Sequence, residues 1–270
     1  MKRAVIACQV FYQEIKQILS EQDVRILLLP QGLHNKPDSA DMRREIQKKI
    51  DFLETEAEYD QITLVYGLCS GGIEGLRARR AALVLPVVHD CIPLLLGEGE
   101  IKGNTGSGRS YYLSRGWIDC GDDSYRQHLF MVDRMQGLID RFKDFKNKHS
   151  EAMVDWYQSD HYQKAERKVF AENVAEYVTF ECLKNYRALV LIDNQNLANI
   201  HLDYAQKMYG FIKELLDKNG QKPFSFRTVR GDLTLLKNLL LFEQGPGSNE
   251  KNILYTPPGE GVALEKVLRS

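Results

Sequence analysis

Three of the five cysteines stand at or just past the ends of short apolar runs. Cys8 follows Ala4-Val5-Ile6-Ala7, Cys69 follows Ile62 to Tyr66, and Cys91 follows Leu83 to Val88. Thiolate and imidazole are the donors that zinc and iron-sulfur centres take, and cysteine is also a nucleophile. If the three runs are parallel strands, their sulfurs arrive at one edge of one sheet. Open α/β sheets bind ligands in the crevice outside the carboxyl ends of their strands. His89 stands two residues before Cys91, and in extended backbone such positions face the same way. Cys8, Cys69 and Cys91 are therefore the expected metal ligands, with His89 as fourth ligand or as acid/base. No Cys-x-x-Cys pair of the structural-zinc type is present, and ligands gathered from separate strand ends fit a catalytic centre better.

The sharpest local motif is Tyr66-Gly67-Leu68-Cys69-Ser70-Gly71-Gly72. It is neither a Walker loop nor a dinucleotide fingerprint, because the required lysine and glycine spacings are missing. It matches Gly-x-Cys-x-Gly directly after a buried strand, the nucleophile-elbow pattern with cysteine in the serine position. Gly67, Gly71 and Gly72 let the backbone turn and expose amides able to bind a substrate anion. Tyr66 and Trp117 are candidate walls of the pocket. His34, after Pro30-Gln31-Gly32-Leu33, is a second candidate catalytic histidine, able to reach the same crevice from the second strand end. A metal-free alternative follows, in which Cys69 attacks, His89 or His34 takes its proton, and turn amides hold the oxyanion of a hydrolase or amidotransferase. The bland alternative is a tight turn with a buried cysteine.

The elements that must position these residues alternate. Strands are expected at Ala4–Ala7, Val24–Leu29, Gln61–Tyr66 and Leu83–Val88, with helices at 12–19 and 41–56 between them. That order predicts a doubly wound, Rossmann-like parallel sheet. Gly97 to Gly108 holds five glycines in twelve residues and reads as a lid over the site. Helices are expected over 124–148 and 162–186, forming a helical insertion. Strands at Ala188–Ile192 and Phe224–Val229, with helices at 202–218 and 232–241, predict a second, smaller α/β half. A final short strand is expected at Ile253–Tyr255. The expected domains are a Rossmann-like unit over 1–120 carrying the Cys/His site, a helical segment over 121–186, and the second half over 187–270. Arg230, Asp193 and Asp232 are candidate substrate contacts from that half, with Asp232 also a helix cap. Cys120 and Cys182 read as structural, and His128, His149 and His161 as solvated.

With 270 residues, 43% hydrophobic and 27% charged, the chain can bury a sizeable core. A net charge of -1 and a pI near 6.6 give no attraction to nucleic acid or to an anionic membrane. No run is long enough to span a membrane and the start lacks a signal-peptide core, so a cytoplasmic protein is expected. An odd cysteine count without a secretion signal argues against a disulfide framework.

Several pieces of the chain together resemble the family catalogued as domain of unknown function 1638. They are Ala7-Cys8, Leu29-Pro30-Gln31-Gly32-Leu33-His34, Tyr66-Gly67-Leu68-Cys69, His89-Asp90-Cys91 with Leu95-Leu96-Gly97, and Tyr112-Leu113 to Gly116-Trp117, with a looser fit through Gly231-Asp232-Leu233 and Pro257-Pro258-Gly259. Val87-Val88 departs from the more polar position expected before His89. Such proteins occur mostly in anaerobes beside corrinoid proteins and methyltransferases. The resemblance therefore implies anaerobic one-carbon metabolism, with a small-molecule substrate and a corrinoid protein or methyltransferase as possible partner. Three functions are open: a zinc or iron-sulfur enzyme, the cysteine nucleophile above, and a non-catalytic metal or corrinoid accessory protein.

Overall fold

The computed structural model describes residues 1–35, 39–97, 110–134, 137, 164–221, 223–243 and 252–263. The apolar runs become strands because nearly every side chain in them is buried. β1 (Arg3–Cys8), β3 (Gln61–Val65) and β4 (Ala82–Pro86) are buried from both faces, as strands covered on each side by helices are. With β2 (Arg25–Leu29) and β8 (Ile253–Thr256) they form a five-stranded sheet of order β2-β1-β3-β4-β8, in which only β8 runs antiparallel.

That order fixes where a ligand can sit. The chain steps from β1 to β2 on one side, then from β2 across β1 to β3 on the other, so the direction of winding reverses between β1 and β3. Right-handed crossovers then place α1 (Tyr12–Ile18) and α2 (Ser39–Glu56) on opposite faces, and the reversal opens a crevice at the carboxyl ends of β1 and β3. On α2, Met42, Ile46, Ile50 and Leu53 are buried at helical spacing.

A second parallel sheet, β5-β6-β7, is made of β5 (Ser110–Leu113), β6 (Ala188–Asp193) and β7 (Ser225–Arg230). β5 was not expected from the sequence. It is only four residues long and mostly half-buried, so its pattern is too short to stand out from the glycine-rich stretch before it. Short helices α3 (Ile92–Leu96) and α4 (Arg115–Cys120) precede and follow β5, and residues 124–134 are helical. α5 (Lys164–Leu183) packs on α6 (Asn199–Lys218), whose His201, Ala205, Met208, Ile212 and Leu215 face inward. α7 (Thr234–Leu240) returns to the first lobe, where Leu236, Leu239 and Leu240 join the core around β1, β3 and β4.

The sheets thus exchange segments along the chain: β5 comes from before residue 120, and β8 and α7 come from the C-terminal part. His128, expected in solvent, is instead buried and hydrogen-bonds Thr179 Oγ1 at 3.2 Å, because its polar-looking stretch packs under Phe211. Asp232 accepts the Thr234 amide at 2.9 Å just ahead of α7. Among the described residues, no helix is long and apolar enough to cross a membrane.

Candidate functional site at the sheet edges

Each of the three cysteines stands where a parallel strand of the first sheet has ended and a helical turn begins. Cys8 ends β1 in extended backbone and caps the 3-10 turn Gln9–Phe11. Cys69 opens the 3-10 turn Cys69–Gly71, four residues after β3. Cys91 immediately precedes α3, with Pro93 in the first turn, where a proline is preorganised and needs no hydrogen bond. Cys8 and Cys69 therefore flank the crevice between β1 and β3, and Cys91 adds a third sulfur from beyond β4.

The Cys69 turn is strained and braced. Cys69 has φ 42°, a left-handed conformation rare for a residue with a Cβ and costing roughly 1 kcal/mol. Its amide donates to the His89 carbonyl at 3.1 Å, and the Leu68 amide donates to Val88 at 2.9 Å, so the ladder continues past the ends of β3 and β4. This close approach explains Gly67, since a Cβ there would lie 2.6 Å from the Asp90 backbone. Gly72 sits against the Met42 sulfur of α2, and Gly71 takes φ 86°. The braced amides are consequently committed to backbone partners: those of Leu68 and Cys69 face carbonyls, not a substrate anion.

Burial is the first cause of the thiols' electrostatics. It pushes Cys8 up to about 11 and Cys69 up to about 12, and it holds Cys91 well above the ordinary thiol range. The groups also feel one another. Cys8 raises Cys69 and Cys91, Cys69 raises Cys91, and Asp90 raises both Cys69 and Cys91. Backbone amides at Val10 and Gly67 offset part of this for Cys8 and Cys69. Tyr66, buried at the end of β3, is likewise pushed up by burial and by the neighbouring Cys8 and Cys69.

The sequence-expected residues divide. Cys8, Cys69, Cys91 and Tyr66 gather at one edge within electrostatic reach of each other. His89 is exposed, because β4 ends at Pro86 and the backbone bends through 89–91, breaking the alternation that would aim it with Cys91. His34 lies on the 3-10 turn Gln31–Asn35 after β2. Trp117 on α4 is half-buried and touches both cores. Of the expected lid, Gly97 alone is among the described residues. Among the described residues, no three His, Cys, Asp or Glu groups stand together at metal-binding spacing.

The structure also assembles residues the sequence did not single out. The carboxyl edge of the second sheet meets that of the first: Gly116 of α4 lies against the Val10 carbonyl, and the Gln9 amide group donates to the Cys120 carbonyl at 2.7 Å. Cys120, expected to be structural, is close enough to Cys8 to contribute to its raised pKa, behind the effect of burial. Glu14 of α1 is completely buried and accepts the Asn196 side-chain amide at 2.8 Å, while Asn194, also buried, follows β6 directly. Two signals for this cluster were present: a carboxylate among the inward positions of α1, and an Asn-x-Asn immediately after a buried strand.

Comparison with curated proteins and with solved structures gives no match. A family model described as "Protein of unknown function (DUF1638)" matches residues 28–240, from the end of β2 through α7 and hence across both sheets, and the chain belongs to that family.

Proposed function

We propose that the chain is a metal-dependent enzyme acting on a small molecule at the carboxyl edge of the first sheet, with Cys8, Cys69 and Cys91 holding zinc or an iron-sulfur centre. The supporting observation is one buried and two half-buried thiols at the edge of the first sheet, all raised by desolvation, with Cys8 raising Cys69 and Cys91 in turn. Thiols so placed stay protonated unless a cation compensates them, and a bound metal is the cation that converts them to ligating thiolates. The donor set is soft and suits zinc or iron, not calcium or magnesium. A bound metal would supply Lewis-acid activation of the substrate or electron transfer. The chain's own residues brace Cys69 through the His89 carbonyl, and Tyr66 and Trp117 would wall the crevice. The proposal extends to anaerobic one-carbon, corrinoid-linked metabolism, with a corrinoid protein or methyltransferase as the proposed partner; its support is the resemblance of the first half alone.

Metal analysis of anaerobically purified protein tests the reading. Stoichiometric zinc or iron is expected, with proton release on binding, and a folded Cys8/Cys69/Cys91 triple serine variant should hold none. Folded wild-type protein that takes up neither metal under anaerobic reconstitution overturns it.

A second reading is favoured by the positive φ of Cys69, the backbone signature of a nucleophile on a sharp strand-to-helix turn. Against it stands a thiol pushed up to about 12, which is almost wholly protonated at neutral pH and so weakly nucleophilic. Alkylation by iodoacetamide separates the two. Rapid modification of Cys69 at pH 7 supports the nucleophile, whereas a rate that climbs only in alkali supports the metal site.

A further inference from the structure

Away from the core, α2 carries a stripe of charge. Met42, Ile46, Ile50 and Leu53 make its buried face, and Arg43, Arg44, Gln47, Lys48 and Asp51 recur at the same helical spacing on another side. These five line a cavity of about 380 Å³, within the volume range of small-molecule sites. Its other wall is the turn through Gly75, at φ 75°, where a Cβ would meet only open space.

The two walls are fastened together. The Gln47 side chain accepts the Arg77 amide at 3.0 Å and donates to the Arg77 carbonyl at 2.8 Å, which ties the turn to α2. The same side chain donates to Asp51 at 2.9 Å. The bonds that frame the cavity therefore leave its cations out.

Those cations are weakly committed. Arg44 pairs with Asp41 and Lys48 with Glu45, but both cationic side chains are 61% exposed, and pairs so wetted contribute little and yield to a better partner. Arg43 has no carboxylate partner among the described residues; its Nη2 makes one long bond, 3.5 Å, to the Gly71 carbonyl. Most of its planar fork is left for an oxyanion.

We propose that this cavity binds a small phosphorylated molecule, its phosphate held by Arg43, Arg44 and Lys48. A phosphate carries more charge and more acceptor oxygens than a carboxylate, and so suits several cations set side by side. Asp51 lies roughly 12 Å along the helix from Arg43. It repels the phosphate toward the Arg43 end and offers an acceptor to a hydroxyl of the ligand's body. The inference rests on neither the thiols nor a metal, although Arg43 touches the turn that carries Cys69.

Calorimetric titration of the full chain, in buffer free of phosphate and sulfate, tests it with two probes, inorganic phosphate and glycerol phosphate. Each should saturate one site, with a Kd of about 1 mM or below for glycerol phosphate. Arg43→Gln and Arg44→Gln should each weaken binding about tenfold, the loss of a charge-assisted hydrogen bond. Arg44 is at the surface, so its variant serves should Arg43→Gln fail to fold. Lys213→Gln, the same charge loss on α6, should leave binding unchanged. Glycerol phosphate should bind more tightly than inorganic phosphate, and equal binding overturns the phosphorylated molecule in favour of free phosphate. No saturable binding, or binding weakened as much by Lys213→Gln as by the cavity variants, overturns the site. Metal content read on the same samples keeps this proposal separable from the sulfur site, since either can fail with the other intact.

Discussion

The first sheet ends in sulfur and the second in amides and carboxyls, although both edges are built the same way, from parallel strands that run into turns. At Cys8, Cys69 and Cys91 burial stabilises neutral thiols, and the only compensation comes from backbone amides. At Asn194 and Asn196 the edge carries neutral amide groups beside Asp193, and Glu14, which accepts from Asn196, comes from α1 of the opposite lobe. The contrast is one of chemistry on a shared scaffold. One edge carries soft thiols and the other hydrogen-bonding groups.

The largest effect is expected where the edges dock. Gly116→Ala and Gly231→Ala would each drive a methyl into fixed neighbours, the Val10 carbonyl and the Asn194 side chain with the Leu95 carbonyl. Each should cost about 3 kcal/mol, the upper end of overpacking, because backbone cannot yield as a side chain can. Urea unfolding measures it, and a loss under about 1 kcal/mol would show that the edges are not pressed together.

Glu14→Gln comes next and sharpens the polar side of the comparison. The folded pKa of Glu14 is raised, chiefly by burial, so the folded state holds its proton where the unfolded chain has released it. Its contribution to stability is therefore complete below the unfolded pKa and is lost as pH rises through the folded one. Wild type should lose stability across that window on the order of 1 kcal/mol more than the Gln variant does, read from unfolding midpoints at several pH values. Parallel curves would mean that Glu14 is solvated and the two edges less different than they stand here.

Cys69→Ser probes the sulfur side. The residue is half-buried at a turn, its backbone strain is unchanged by serine, and stability should move by about 1 kcal/mol or less while metal uptake falls. A variant that unfolds would make Cys69 a packing residue. His89→Ala is the smallest expected effect. The exposed ring should contribute under about 0.5 kcal/mol, and metal content should stay at the wild-type level; metal lost with the fold retained would restore the imidazole as a ligand.

The first sheet and its thiol edge were legible because their signals are local. Four largely apolar runs, followed by Cys8, Pro30, Gly67 and His89, state where the strands lie, and parallel order then puts Cys8, Cys69 and Cys91 at one edge of the sheet. His89 shows the limit: the period-two argument needs extended backbone, and a bend at 89–91 depends on the proline and the ladder around it, not on the type of residue 89.

The amino-acid sequence by itself determined the alternation of strands and helices, the burial of the first sheet and the end of it that carries sulfur, since each follows from periodicity within a dozen residues. The tertiary structure alone decided that β8 runs antiparallel beside β4, that β5 joins a separate sheet, and that Glu14 meets Asn196 across 182 positions of chain. Such meetings depend on how two whole lobes dock, a balance of many buried contacts that no short stretch of sequence encodes.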